Sequence, residues 1–426
     1  MKKRLLALLI TVAMLTGLFA ACTGNAPPPP APAEDVPPLP EDVPDESEPD
    51  LDTPTPDVPP ADTQEAILRF SHALFRGLLV SEEQNPVLSP LSAYYALAMT
   101  ALGAGGETAV EFESVLGRDA MALAQDLHAL TASLAATRGS TALNIAGGVW
   151  TDENFEIHRG FAGLLAEYFQ APARSLDFDD PATVQEINAW VYEQTHGLIP
   201  ELLSSIGQEA VMLLVNTLYF SGQWAQAFHP MTTFGGVFRL ADGTEVEAPF
   251  LSTRAVPLAV SVTDRYEAVS LPYDDDRLAF LLVRPTDGMD VREFATTFDL
   301  STTLAALGTH DSVRVRMPKL DLTFDFTLND LLESMGLVAA FCDTADFSAL
   351  TTGDEPLRIS RVLQKVRLLV DEEGTEAAAA TAIEIEMTGI ALDQLYLTFD
   401  TPYLYVIYDR ELGIPLFMGV LDNPAL

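Results

Sequence analysis

Val370-Asp371-Glu372-Glu373-Gly374-Thr375-Glu376 leads into Ala377–Ala380, Thr381-Ala382, Ile383-Glu384-Ile385-Glu386 and Met387-Thr388-Gly389. With a period of two, Thr375, Ala377, Ala379, Thr381, Ile383, Ile385 and Met387 form one face, small or apolar. Glu376, Ala378, Ala380, Ala382, Glu384, Glu386 and Thr388 form the other face, which holds every acid. This alternation is the signature of a strand with one buried face. An ordinary strand is the plainer reading, but alanine is a poor strand former and a run of four small side chains packs little. Small side chains do suit a segment that slides between two strands already in place. The stretch is expected to become a strand late.

The surrounding chain has 426 residues, 48% of them hydrophobic, enough for a substantial core. Acids outnumber bases 62 to 23, for a net charge of −39. Such a field repels phosphate backbones, so neither nucleic acid nor heparin is an expected partner. Lys2-Lys3-Arg4, the apolar run Leu5–Phe19 and Ala20-Ala21-Cys22 read as a secretion signal over residues 1–21. Ordinary signal-peptidase cleavage fits poorly, because Leu18 or Phe19 would stand where a small residue is wanted. The alternative resembles a bacterial lipobox with Cys22 as the lipid-modified N-terminus, although Phe19 stands where Leu is usual. Plain secretion with an incidental Cys22 stays open.

Residues 22–61 are rich in Pro and acid and lack the apolar content to offset their ordering entropy. They read as an extended stalk, on the order of 100 Å long at ~3.1 Å per residue. Cys342 is the only other cysteine; it is expected as a small buried hydrophobe, with no internal disulfide.

From Asp62 to residue 426 the composition is globular, without a second linker. Asp62 and Glu65 suggest a capping box, followed by Ile67, Phe70, Leu74 and Leu78 on one helical face. Tyr94–Leu102, Ala109–Leu116, 119–136, Phe161–Phe169 and Val184–Glu193 read as helices. Val211–Phe220, Ala268–Leu271, Ala279–Val283, Val313–Met317, Val366–Val370 and Tyr403–Tyr408 read as strands. Helices early and strands late give an α+β domain rather than a βαβ repeat.

No catalytic constellation assembles. The histidines His72, His128, His158, His196, His229 and His310 lack metal-ligand spacing, and neither H-E-x-x-H nor C-x-x-C occurs. Gly103–Gly106 lacks the G-K-[ST] of a phosphate loop, and no G-x-S-x-G or S-x-x-K is present. Asp274-Asp275-Asp276 reads as a solvated hairpin turn. The expectation is a protein that is not an enzyme and needs no metal or cofactor.

Asp371–Thr381 resembles the reactive-loop hinge of inhibitory serpins. Asn85-Pro86-Val87-Leu88-Ser89-Pro90-Leu91-Ser92, Ile187-Asn188-Ala189-Trp190-Val191 and Asn216-Thr217-Leu218-Tyr219-Phe220 are similar to further motifs of that family. So are Gly222-Gln223-Trp224, Leu271-Pro272-Tyr273, Met317-Pro318-Lys319, Ala345-Asp346-Phe347-Ser348 and Pro415-Leu416-Phe417-Met418-Gly419. In order, they span about Asp62 to Pro424.

The resemblance implies helices packed around three β-sheets, with an exposed reactive-centre loop joining Val370 to Tyr403. It implies a metastable monomer that traps serine proteases covalently as a suicide substrate. Hinge roles then fall to Glu372, Gly374, Thr375, Glu376, Ala377, Ala378, Ala379, Ala380 and Thr381, with Gly374 supplying backbone freedom. By the usual loop length the scissile bond is Thr388–Gly389, with Met387–Thr388 as the alternative. The far side of the loop is about three residues longer than in common relatives, which leaves the position open by one or two residues. No Lys or Arg occurs from Gly374 through Tyr408, so proteases with small or medium apolar pockets, elastase-like or subtilisin-like, are the implied targets.

Ser89, Ser92 and Asn216 match the family's sheet-opening cluster, in which Gln364 replaces the usual histidine. Trp224 matches the aromatic where insertion begins. Ordinary buried packing is the plainer reading of these residues, and both can hold together. A non-inhibitory serpin acting as a surface binding module is the alternative; bulky, charged or Pro hinge residues would have favoured it. The expected location is the outer side of a bacterial cell envelope, anchored to the membrane by lipid on Cys22.

Overall fold

The computed structural model describes residues 59–426 apart from 81–83, 136–138, 287, 354–355 and 376–393. The chain runs through α1 (Ala61–Leu79), β1 (Val87–Leu88), α2 (Pro90–Ala101), α3 (Gly106–Leu116) and α4 (Ala120–Ala135). Then come β2 (Ala142–Asp152), α5 (Arg159–Leu164), β3 (Ala173–Leu176), α6 (Pro181–Gln194) and β4 (Met212–Gln223). Five strands follow: β5 (Phe234–Arg239), β6 (Glu245–Ser252), β7 (Val256–Val262), β8 (Tyr266–Pro272) and β9 (Leu278–Pro285). After α7 (Val291–Thr296) and α8 (Leu300–Ala305) come β10 (Gly308–Pro318), β11 (Leu320–Thr327) and α9 (Asn329–Ser334). The last strands are β12 (Arg361–Val370), β13 (Gly374–Thr375), β14 (Leu395–Thr398), β15 (Tyr403–Asp409) and β16 (Pro415–Leu421).

The expected α1 face is buried at Ile67, Phe70, Leu74 and Leu78. Its capping box does not form. The helix begins two residues early, with Pro60 in the cap position, and Asp62 pairs with Arg118 instead. Every residue of α2 is buried, as an all-round apolar helix requires. The expected helix Phe161–Phe169 is α5 continued by one π turn, Leu165–Phe169, and stopped by left-handed Gln170.

The expected three sheets appear as two hydrogen-bonded networks. The ten-stranded one runs β1-β16-β15-β9-β8-β7-β10-β6-β5, with β14 beside β10. One strand links its two halves: β10 pairs β7 up to Val313 and β6 from Arg316, with a register shift between His310 and Val313. The second sheet runs β11-β12-β13-β4-β2-β3.

Two local expectations change. Cys342 is exposed, just past the short 3-10 turn Ala339–Phe341, and its thiol reaches the Val338 carbonyl at 3.4 Å. Asp274–Asp276 is the β8–β9 turn, but Asp275 is buried and not solvated. Its Oδ1 accepts from the Arg277 and Leu278 N–H groups at 2.9 and 2.8 Å. Among the described residues no group of three or more His, Cys, Asp or Glu could hold a metal ion.

Candidate hinge and sheet-opening site

β12 and β4 lie parallel and pair directly from Arg361↔Leu213 to Gln364↔Asn216. At the other end of the same seam β13 stands between them. Thr375 pairs with Val370 on one side and Gly222 on the other, and Gly374 pairs with Gln223. Two residues of the hinge, Gly374 and Thr375, therefore already form a strand, antiparallel to both neighbours.

The reversal that seats them is built by Asp371. Its N–H donates to the Gly374 carbonyl at 2.9 Å, and its Oδ1 accepts from the Glu373 and Gly374 N–H groups at 2.8 and 3.3 Å. Gly374 is not among the left-handed glycines in this seated form. A Cβ at this position would run into the Gly222 carbonyl and lie 2.8 Å from Gln223 Cα. Close approach to β4 is what demands glycine.

Thr375 is 1% exposed, and its hydroxyl lies 2.6 Å from the Tyr273 hydroxyl. Burial pushes the Tyr273 phenol well above its ordinary range, so it stays a neutral O–H. Tyr273 in turn stacks on Trp224 with ring centroids 4.8 Å apart and planes 8° apart. Trp224 grips the turn twice: its backbone N–H donates to the Glu373 carbonyl and its indole Nε1–H to the Asp371 carbonyl, each at 2.9 Å. Phe228 N–H adds a bond to the Glu372 carbonyl at 2.8 Å.

The Glu372 carboxylate meets Lys319 Nζ at 2.5 Å and accepts from the Thr233 hydroxyl at 2.7 Å. Desolvation pushes this carboxyl up, but the Lys319 and Thr233 hydrogen bonds and the ammonium charge hold it below its ordinary value.

At the direct end, the expected cluster of four residues meets in space and is buried throughout. Gln364 Oε1 accepts from the Ser89 N–H at 3.0 Å, and its Nε2 donates to the Ser89 carbonyl at 2.8 Å and to Asn216 Oδ1 at 3.0 Å. The same Asn216 oxygen accepts from the Ser92 hydroxyl at 2.7 Å, and Asn216 Nδ2 donates to the Leu363 carbonyl at 3.2 Å. Ser89 caps α2 by accepting from the Ser92 N–H at 3.4 Å. The cluster thus ties the start of a fully buried helix to both strands of the seam.

Glu376, Ala377, Ala378, Ala379, Ala380, Thr381, Met387, Thr388 and Gly389 lie outside the described residues, as does Cys22. Sequence reasoning gave no role to Tyr273, Phe228, Lys319, Asp371 or Thr233. The first four stand within or beside the quoted motifs, which was the available signal. Thr233 carried none, because its contact with Glu372 spans 139 positions.

Fold and site together define an α+β protein whose second sheet is wedged at one end by the first residues of its own hinge. A family model described as "Serpin (serine protease inhibitor)" matches residues 65–424, and the chain belongs to the serpin family. That family is one of protease inhibitors rather than catalysts. Serpin-ZXA of Oryza sativa subsp. japonica is 33% identical over 368 residues, covering 80% of this chain and 91% of that protein. Serine proteinase inhibitor A3K of Cavia porcellus is 30% identical, covering 84% and 89%. Among solved structures, the thermophilic serpin tengpin in its native state matches with TM-score 0.79 and 29% identity, over 84% of this chain and 94% of that one.

Proposed function

We propose that this chain is an inhibitory serpin that traps serine proteases by inserting its own loop as a new strand. The observation that carries this reading is Gly374–Thr375 seated between β12 and β4, with Thr375 buried. Thr375 is the first of the alternate residues whose small or apolar side chains would face inward behind it, Ala377, Ala379, Thr381, Ile383, Ile385 and Met387. The protease serine oxygen attacks the carbonyl of Thr388, or of Met387 in the alternative register. The new ester bond replaces the peptide bond to the next residue, and the proton goes to the leaving amine. The freed segment then extends β13 and carries the tethered protease with it.

About fourteen inserted residues would span roughly 45 Å at ~3.3 Å each. Their ladder bonds would contribute on the order of 10 kcal/mol, at ~0.5–1.5 kcal/mol per bond. The native form is then held by a barrier, so its lifetime is a rate. A Thr or Met bait and the absence of Lys or Arg nearby support elastase-like or subtilisin-like targets. Mixed with such a protease, the chain should give an SDS-resistant adduct, lost on Thr375→Arg because a guanidinium cannot enter the slot beside Tyr273. Clean cleavage that leaves full protease activity would reject the trap in favour of a non-inhibitory binding role.

The same reading places a secretion signal at 1–21, lipid on Cys22 and a stalk over 22–61, which holds the monomeric inhibitor outside a bacterial cell. Cys22→Ala should release the protein to the medium; unchanged membrane retention would count against the anchor.

A further inference from the structure

A cavity of about 370 Å³ opens beside the hinge, within the size range of small-molecule sites. Its walls are mostly apolar, with Trp224, Phe228, Leu258 and Leu271 among them. His229 and Arg254 also line it. His229 Nδ1 accepts from the Met231 N–H at 3.0 Å, so in the neutral ring Nε2 carries the proton and is a donor. Arg254 adds a cationic guanidinium. The remaining charged lining residue is Glu373, which belongs to the hinge turn itself.

We propose that this cavity binds a small carboxylate with an aromatic or branched apolar body, and that its occupancy favours the seated hinge. The two donors select the acid head, and the apolar walls select the body. The coupling follows from Glu373. Its carbonyl is held by the Trp224 N–H at 2.9 Å, and it directly precedes Gly374. Withdrawing Gly374–Thr375 from between β12 and β4 would pull Glu373 off the cavity wall. A ligand that touches this wall binds the seated form better, and it shifts the equilibrium by that difference. A seated hinge leaves less loop for a protease to grasp, so occupancy slows trapping. That last consequence rests on the inhibitor reading; binding and its coupling to the hinge do not.

The test is calorimetric titration of the full chain with 1-naphthaleneacetate. One saturable site is expected. Arg254→Ala, or replacing the probe by 1-naphthaleneacetamide, should weaken binding by about tenfold or more, as loss of a hydrogen bond to a charged group does. Ala227→Phe, at an exposed rim position that a larger side chain can occupy without unfolding, should block it. Thr375→Arg should weaken it about fivefold or more, because coupling is reciprocal. No saturable binding at millimolar probe, indifference to Ala227→Phe, or equal affinity in Thr375→Arg would each overturn the proposal. If the wild type traps no protease yet these titrations behave as expected, the inhibitor reading falls and the site stands.

Discussion

At the hinge end of the β12–β4 seam, two residues of a third strand stand between the partners, held by Trp224, Tyr273 and an ion pair to Glu372. At the other end the same two strands pair directly, and uncharged side chains knit them to α2. The hinge end is already parted at the cost of a strict demand for small residues. The direct end is what further insertion must break. On the proposed insertion mechanism, resistance to opening would reside around Gln364 rather than around Trp224.

The largest expected effect comes from breaking the direct end. Gln364→Leu keeps the volume but strands the Ser89 N–H in a buried site, while the Ser89 carbonyl keeps the Ala93 N–H at 3.2 Å. At ~1–3 kcal/mol for the stranded group, the native form should lose about 1–3 kcal/mol. The urea midpoint should fall, and inhibitory activity should decay faster on standing as the loop inserts unprompted. An unchanged midpoint and decay rate would show that the cluster does not restrain the seam.

A smaller effect is expected at the hinge end, and it depends on pH. The Glu372 carboxyl titrates below its ordinary 4.5 in the folded chain. A depressed carboxyl contributes stability that is fully present above about pH 4.5 and is lost as pH falls through the folded value. Glu372→Gln should therefore cost roughly 1 kcal/mol or less at pH 7, with the gap to wild type closing in acid. A gap of the same size at pH 7 and pH 3 would remove the Lys319 charge pair from the hinge. No group in the Gln364 cluster is ionised at either pH, so acid should loosen the hinge end while sparing the direct end.

Much of this seam was legible in sequence because its signals are local. Period-two alternation began its strand at Thr375, which lies in β13, helical spacing placed α1, and the apolar run Val211–Phe220 placed β4; the rest of the alternating stretch lies outside the described residues. The missed features depend on distant partners. No local pattern tells that Thr375 meets Tyr273, 102 positions away. A further constraint on Gly374, the close backbone of β4, appears only once the strands are side by side. β2 was missed as a strand because Gly147-Gly148 interrupts its apolar run; in the fold Met99 and the Trp150 ring occupy the space their side chains would take. Cys342 read as buried on residue type alone, and residue type does not say that the position just past a 3-10 turn is exposed.

The most direct test of stored conformational energy is the thermal melting of the intact chain against the same chain nicked once in the loop near Thr388. Insertion worth on the order of 10 kcal/mol should raise the melting temperature of the nicked form by roughly 10–15 °C. A nicked form that melts at or below the intact one would contradict the claim that the native fold lies above its loop-inserted product.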